Sequence, residues 1–234
     1  YTQHTICSSP PPASGVAVVM IAELYQRLLS DPEASLATRI ETFVDAQRLA
    51  YADRDRYIAD PDFVDVPIAE LLDPRYLDQR AKERFTPKAS PSPGNPSAVL
   101  GQQAATLLRG ADSSEEAPGT SHLSVVDHNG NAVSMTASVG APFGSLRWVH
   151  GFLLNNELSD FARAPIVDGR PLANAVAPGK RPRSSMSPTM VFDQHGELMM
   201  VTGSPGGNSI VAYTAKSILA WMDWGLSAQQ AADF

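Results

Sequence analysis

Cysteine, basic charge and long apolar runs are all scarce in this sequence, and each scarcity excludes a class of protein. Its 234 residues include one cysteine, Cys7, so no internal disulfide can form, and we expect this small side chain to be buried. The net charge is −7 and Lys and Arg form no run, which argues against binding to nucleic acid or to an anionic membrane. No apolar run approaches the roughly 18 residues of a membrane span, so we predict no membrane span in this chain.

Two common kinds of catalytic pattern are also missing from the sequence. The histidines are scattered, and no pair has the spacing of a zinc site. They are His4, His122, His128, His150 and His195. A serine-hydrolase elbow needs G-x-S-x-G after a strand, and the segment "TGSPGG" does not match it. The sequence therefore predicts neither a metal nor a cofactor.

Apolar residues recur at helical spacing in the first third of the chain. "VAVVMIAELYQRLL" places Val18, Ile21, Tyr25 and Leu28 on one face of a predicted helix. A second helix is predicted over 40–58, where Gln47 interrupts an apolar stripe. The members of that stripe are Ile40, Phe43, Val44, Ala50 and Tyr51. One or two short helices are predicted over 68–85.

Residues 86–119 differ in composition from the rest of the chain. They are rich in proline and serine and contain the acidic run "DSSEE", which is typical of an exposed linker. We predict such a linker here, with a short helix at 102–109.

The pattern beyond the linker indicates strands and one more long helix. "SHLSVVD" and "AVSMTASV" flank Asn129-Gly130, a strong hairpin signal. "TMVFD" and "LMMVTG" predict a second hairpin, and "IVAYTAKSILAWMDWG" predicts a helix. Helices before the linker and antiparallel strands after it favour a layered α+β fold.

Two polar segments could carry chemistry, and both have ordinary alternatives. "GSPGG" before a helix is either an anion-binding turn or a plain glycine loop, and its own sequence leaves both open. "KRPRSSMSPT" contains paired hydroxyls, but by itself it predicts a surface loop.

Six segments, in this order and spacing, resemble the gamma-glutamyltranspeptidase family, which includes glutaryl-type cephalosporin acylases. They are "PPPASG", "YADRDRYIADPDFVDVP", "GTSHLSVVDHNGNAVSMTASVGAPFGS", "GFLLNNELSDF", "NAVAPGKRPRSSMSPTM" and "VTGSPGGNSI". The resemblance implies the four-layer αββα sandwich of N-terminal nucleophile hydrolases, present here as a partial chain. It assigns 1–85 to the end of a large subunit, mostly helical, 86–119 to a linker, and 120–234 to most of a small catalytic subunit.

The resemblance also implies a precursor that cuts its own chain between Gly119 and Thr120. The freed Thr120 would be the nucleophile, and its α-amino group, with a pKa of about 7.7–8.0, could help to move the hydroxyl proton. The other implied roles follow position by position. Ser138 would hydrogen-bond the nucleophile, Gly206 and Gly207 would form the oxyanion hole, Glu157 and Asp160 would bind the substrate's α-amino group, and Ser184 and Ser185 would bind its α-carboxylate.

The implied activity is cleavage of γ-glutamyl amides such as glutathione, with water or an amino acid as acceptor. Two departures bear on the substrate: Gly140 stands where many members have an asparagine, and the 162–173 segment lacks the aromatic residue of a lid. The alternatives are a glutaryl or cephalosporin-type acylase with the same nucleophile, or an unprocessed, non-catalytic fragment. An arginine that grips the α-carboxylate lies, in the family, outside this chain, so we expect these 234 residues alone to be inactive. The resemblance also suggests a periplasmic or extracellular location.

Overall fold

The computed structural model describes residues 1–83, 85–86, 88–101, 109–117 and 119–234. Its α-helices are α1 (Gly15–Leu28), α2 (Leu36–Tyr57), α3 (Ile68–Leu71), α4 (Pro74–Arg80), α5 (Pro96–Val99), α6 (Ile210–Met222) and α7 (Ala228–Asp233). Its strands are β1 (Thr5–Ser8), β2 (Thr120–Val126), β3 (Ala132–Ser138), β4 (Trp148–Val149), β5 (Phe152–Leu153), β6 (Ile166–Val167), β7 (Arg170–Pro171), β8 (Thr189–Phe192) and β9 (Leu198–Thr202). The helices and hairpins predicted from the sequence are present, except that the proposed helix at 102–109 lies almost wholly outside the described residues.

Helices α1, α2 and α6 form one apolar core. Their buried side chains pack with Val191 of β8, so the helices cover one face of a sheet. The stripe predicted for α2 is partly wrong, because Val44 is 37% exposed while Ala46 and Leu49 are buried. The helix begins at Leu36, where the Ser35 side chain accepts the Thr38 N–H, and its core-facing arc runs through Ala46 and Leu49 rather than Val44.

The covered sheet has three antiparallel strands in the order β1-β8-β9. Cys7 is on β1, and the expectation that it is buried is wrong: it is a free, exposed cysteine. Side chains alternate along β1, so Ile6 packs against the core whereas its neighbours Thr5 and Cys7 point away from it.

Strands β2 and β3 pair in a regular hairpin whose polar face packs against β9. Ser124 Oγ donates to the carbonyl oxygen of Val201 at 3.2 Å, and Ser134 Oγ donates to that of Thr202 at 2.8 Å. The opposite face carries the cross-strand pair Leu123 and Met135, which are 47% and 48% exposed. The hairpin therefore turns its polar face inward and its apolar face outward.

The prediction that 86–119 is an exposed linker is wrong for much of its described part. Asp53, fully buried on α2, accepts the Gly94 N–H at 2.6 Å, and Arg80 donates to the Ser92 carbonyl at 2.8 Å. Asp112 is buried as well. Charged partners on the helices satisfy these polar groups, so a polar composition did not mean exposure to water. The proposed division at residues 85 and 119 stays a prediction.

No helix in the described part of the chain is both long enough and apolar enough to cross a membrane.

Candidate active site

Thr120 is the first residue of β2, and the hairpin register places it opposite Ser138 on β3. The tight turn that closes the hairpin fixes this register: the Asp127 N–H donates to the Asn131 carbonyl and the Gly130 N–H to the Asp127 carbonyl. Thr120 Oγ1 donates to Ser138 Oγ at 3.3 Å. Ser138 Oγ also accepts the Gly140 N–H at 2.9 Å and lies 3.5 Å from the Gly119 carbonyl oxygen. One hydroxyl thus contacts the predicted nucleophile and the carbonyl of the predicted scissile bond.

Only glycine fits at position 119. A Cβ atom there would lie 1.9 Å from the carbonyl oxygen of Gly140, which real Cβ contacts do not reach. Gly140 itself has φ +84°, and a Cβ would lie 2.2 Å from Asn156 Oδ1. That amide oxygen accepts the Ala141 N–H at 2.7 Å. Asn156, which the sequence did not single out, therefore fills the space beside Gly140.

The glycine turn before α6 packs against the residues that precede the Gly119–Thr120 bond. Gly206 has φ +135° and Gly207 has φ +55°, conformations that favour glycine. A Cβ on Gly207 would lie 2.6 Å from the Glu116 carbonyl oxygen. Asn208 fixes the contact, because its Oδ1 accepts the Glu116 N–H at 3.2 Å and its Nδ2 donates to the Ser114 carbonyl at 3.3 Å.

Ser184 and Ser185 lie in an inner loop, not in the surface loop that "KRPRSSMSPT" predicted. Ser185 is fully buried, and the Ser184 N–H donates to the Pro12 carbonyl at 3.0 Å. Ser185 Oγ accepts a hydrogen bond from Arg54 Nη2 at 2.5 Å. The Ser185 N–H donates to Glu116 Oε2 at 2.8 Å. The loop is buried because a charged helix side chain and an acidic side chain satisfy its polar groups.

Arg54 on α2 connects most of these groups and was missed by the sequence reasoning. Its Nε donates to Ser14 Oγ at 2.9 Å, its Nη1 to Asp55 at 3.1 Å and its Nη2 to Glu116 Oε1 at 2.8 Å. Its guanidinium is buried, and the carboxylates of Glu116 and Asp55 raise its pKa against the cost of burial. The sequence did contain one signal for this residue: the charged run "DRDR", residues 53–56, interrupts the apolar pattern near the end of α2.

A second buried arginine, Arg183, extends this cluster. Its Nη2 lies 3.4 Å from Asp112 Oδ2, and Asn174 Nδ2 donates to the same Asp112 carboxylate at 2.9 Å. Burial and the neighbouring Arg54 charge lower the pKa of Arg183. Within the described ranges, its Nε has no hydrogen-bond partner. The cluster thus holds cationic charge in a part of the protein that excludes water.

Glu157 and Asp160 lie on one 3₁₀ turn, Glu157–Asp160, beside the Glu116 segment. Asp160 is 7% exposed, and burial, a hydrogen bond with the Glu157 side chain and the charges of Glu116 and Glu157 raise its pKa to about 8. A cavity of about 670 Å³ is lined by residues of both segments. Its walls include Glu116, Ala117, Ser159 and Phe161. The turn that carries the acidic pair and the Glu116 segment therefore line one cavity, and the charge of Glu116 acts on Asp160.

The described residues contain no cluster of three His, Cys, Asp or Glu side chains arranged to hold a metal ion. His122 serves the hairpin instead: its Nδ1 lies 2.9 Å from Thr136 Oγ1, and burial lowers its pKa.

A family model described as gamma-glutamyltranspeptidase matches residues 1–234. The chain is 37% identical to a glutathione hydrolase proenzyme of Pseudomonas sp. (strain A14), with 100% of the chain and 40% of that relative aligned. It is 35% identical to the glutathione hydrolase proenzyme of Escherichia coli (strain K12), with 99% of the chain and 39% of the relative aligned. This chain therefore spans about two fifths of the length of these relatives.

The fold matches the crystal structure of a cephalosporin acylase from Bacillus halodurans, with a TM-score of 0.80 at 22% identity. That match covers 100% of this chain and 38% of the other. It confirms the predicted fold, the N-terminal nucleophile hydrolase type, present here in part. With a family model matched along its full length and these two relatives above 30% identity, the chain belongs to the gamma-glutamyltranspeptidase family.

Proposed function

We propose that the full-length protein carrying this chain hydrolyses or transfers γ-glutamyl groups, using an N-terminal threonine that it frees by cutting its own chain. The observation that carries the proposal is the contact among Thr120 Oγ1, Ser138 Oγ and the Gly119 carbonyl. These three groups are the nucleophile, its hydroxyl neighbour and the bond to be cut. The names of the proenzymes to which the chain is similar support the same activity.

Maturation would begin with attack of Thr120 Oγ1 on the carbonyl carbon of Gly119. The peptide bond breaks as the acyl group moves from nitrogen to oxygen, and water then hydrolyses the resulting ester. Ser138 Oγ, close to both oxygens, can accept the threonine proton and donate to the carbonyl oxygen. The products are a carboxylate on Gly119 and a free amine on Thr120.

The freed α-amine then assists the Thr120 hydroxyl in its second reaction, the attack on substrate. With a pKa of about 7.7–8.0 it is partly neutral near physiological pH and can take the threonine proton. Thr120 would attack the γ-carbonyl of the substrate, release the amine, and pass the γ-glutamyl group to water or to an amino acid. The N–H groups of Gly206 and Gly207 would stabilise the oxyanion, which is worth up to about 4 kcal/mol per donor.

The α-carboxylate and the α-ammonium of the substrate would bind to two different sets of side chains, one made of hydroxyls and one made of carboxyl groups. Ser184 and Ser185 would hold the α-carboxylate, while Glu157 and Asp160 would hold the α-ammonium. A glutaryl acylase remains the second candidate, because the fold also matches a cephalosporin acylase. Asp160 favours the γ-glutamyl substrate, since an α-ammonium would stabilise its ionised form and pair with it, whereas a glutaryl group offers no cation.

The test uses the full-length precursor, wild type and Thr120→Ala. Mass spectrometry should find a new N-terminal threonine in the wild type and an intact chain in Thr120→Ala, with no γ-glutamyl p-nitroanilide turnover by the variant. The mature enzyme should prefer γ-glutamyl over glutaryl p-nitroanilide by about ten- to thirtyfold in kcat/KM, a difference of about 1.4–2 kcal/mol.

Equal or reversed kcat/KM values would favour the acylase. A wild-type protein whose Gly119–Thr120 bond stays intact would favour the non-catalytic reading.

A further inference from the structure

We infer that, in the uncut chain, the Glu116 side chain occupies the site that later binds the α-carboxylate of the substrate, and that Arg54 forms the cationic wall of this site. The inference rests on the proposed function and concerns the same site. It adds an internal occupant and an arginine supplied by this chain.

The Glu116 carboxylate is bound as a ligand would be. Oε1 accepts from Arg54 Nη2 at 2.8 Å and Oε2 accepts from the Ser185 N–H at 2.8 Å, so each oxygen has its own donor. Charge-assisted hydrogen bonds of this length are the strong ones, and a planar guanidinium suits a carboxylate. Arg54 also donates to Ser185 Oγ, which joins the two donors into one pocket.

The pocket is a buried site rather than a surface ion pair. The side chains of Arg54 and Glu116 are 1% and 7% exposed. Removing Arg54 would leave the buried Glu116 carboxylate without its counterion, and removing Glu116 would leave Arg54 with Asp55 as its nearest carboxylate. When Glu116 leaves, the pocket keeps a guanidinium and a backbone N–H as donors, and these favour binding of another carboxylate.

The surroundings match the rest of an amino-acid head group. The negative charge of Glu116 contributes to the raised pKa of Asp160, so the two carboxyl groups lie in one electrostatic environment. An amino acid whose α-carboxylate replaced Glu116 would bring its α-ammonium into that environment. The cation would favour the ionised form of Asp160, which the negative charge of Glu116 disfavours.

The backbone of the same segment covers the glycine turn. The Glu116 carbonyl oxygen packs against Gly207, and Asn208 holds the segment at Glu116 and Ser114. The segment before the bond therefore covers part of the proposed oxyanion site as well as the carboxylate pocket. Substrate can bind fully only after residues 114–117 withdraw, which cleavage at Gly119 permits.

The first test measures binding of L-glutamate by calorimetry to full-length Thr120→Ala, which keeps the bond intact. Adding Glu116→Ala should tighten binding at least tenfold, and Glu116→Gln by about threefold, because the occupant is removed or loses its charge. The matched control is Glu115→Ala, which removes an equal charge from the wall of the same cavity but at an exposed side chain, and it should change the affinity by less than about twofold. Equal affinities in the Glu115 and Glu116 variants would overturn the inference.

A second test avoids variants that could fail to fold. A synthetic peptide of residues 111–119 should inhibit the mature wild-type enzyme competitively against γ-glutamyl p-nitroanilide. The peptide with Glu116→Gln should be at least tenfold weaker, and the peptide with Glu115→Gln should match the original. Equal inhibition by all three peptides, or none by any, would contradict the inference.

The two proposals can fail separately. A wild-type protein that splits and turns over γ-glutamyl p-nitroanilide, with no effect of Glu116 in either test, overturns this inference alone. A wild-type protein that stays uncut overturns the proposed function, while the calorimetric comparison still reports whether Glu116 excludes a carboxylate.

Discussion

The helical layer and the β2–β3 hairpin differ in where their apolar side chains lie: buried in the helical layer, and exposed on the hairpin. In the helical layer, side chains such as Ile21, Leu24 and Ile218 are fully buried among residues of this chain. In the hairpin, Leu123 and Met135 lie side by side on a face that is about half exposed, while serines point inward to β9. The apolar side chains of the helical core are thus buried by residues of this chain, and those on the outer face of the hairpin are not.

The exposed hairpin face has a physical consequence. Contiguous apolar surface on a protein marks an interaction site or an aggregation liability. The relatives are about two and a half times as long as this chain. We therefore expect the remainder of the full-length protein to cover this face.

The largest expected effect concerns the buried ion pair inside the helical layer. Arg80 contacts Asp53 at 3.1 Å and both side chains are fully buried. Asp53→Ala would leave the arginine with the half-exposed Glu83 as its remaining carboxylate partner. It would also leave the Gly94 N–H and the Tyr76 hydroxyl without their acceptor, so it should lower the free energy of unfolding by about 3–5 kcal/mol. Asp45→Ala, on the same helix but exposed, should cost less than about 0.5 kcal/mol. Urea unfolding measures the free energy of both variants. A similar loss of stability in the two would contradict a stabilising role for the buried Asp53–Arg80 ion pair.

The second prediction compares one substitution in two proteins. Leu123→Ala should change the unfolding free energy of residues 1–234 by about 0.5 kcal/mol or less, because its side chain is half exposed there. In the full-length protein, where we expect the face to be covered, it should cost about 2–5 kcal/mol.

The matched control is Leu24→Ala in the helical layer, which is fully buried and should cost about 2–5 kcal/mol in both proteins. Should Leu123→Ala be equally mild in both, the hairpin face is not covered by the rest of the protein.

The third prediction concerns the entrance to the hairpin. Gly119→Ala places a Cβ against the Gly140 carbonyl, so the backbone must shift at a cost of about 1–3 kcal/mol. Self-cleavage of the full-length precursor should slow by about tenfold or more, since each 1.4 kcal/mol in the barrier is tenfold in rate. Ser121→Ala, one residue beyond Thr120 and exposed, should cut at the wild-type rate. Cleavage is followed by denaturing gel electrophoresis over time.

The last prediction concerns a pH dependence. The pKa of Asp160 in the folded chain is raised from 3.8 to about 8, so the folded state binds a proton that the unfolded state releases. This contribution to stability is fully present below about pH 4 and is lost as the pH rises to about 8. Asp160→Asn, in the uncut Thr120→Ala protein, should therefore flatten the fall in Tm across that window.

An aspartate with a shift of opposite sign serves as the comparison. Hydrogen bonds from Asn131 lower the pKa of Asp127, so its contribution is present at neutral pH and is lost on acidification. Asp127→Asn should reduce the loss of Tm at low pH and leave the slope toward pH 8 unchanged. Identical pH profiles for the two variants would contradict the raised pKa of Asp160.

Local pattern predicted much of the fold and the centre of the candidate site. The Asn129-Gly130 turn defines a hairpin register, and that register alone sets Thr120 opposite Ser138. Helical periodicity likewise located α1, α2 and α6, although the exposed Val44 shows that a stripe interrupted by polar residues can be misaligned.

Contacts between distant residues could not be predicted in this way. Arg54 and Glu116 are 62 residues apart, and nothing in the composition of the acidic run indicates that one of its carboxylates is buried against a helix. Acidic and proline-rich segments are usually solvated, which is why 86–119 was predicted to be exposed. Specific long-range pairing, seen only in three dimensions, overrides that tendency.

The position of Thr120 at the very start of β2 has a consequence for the cut chain. The last pair of a strand ladder is where fraying begins, because it has a neighbour on one side only. Cleavage before Thr120 removes the covalent tether on the other side but breaks none of the pairs from Thr120–Ser138 to Val126–Ala132. The new chain end would therefore stay in place through its ladder and its hydroxyl contact with Ser138, and the mobility of a free terminus would be confined to the amine itself.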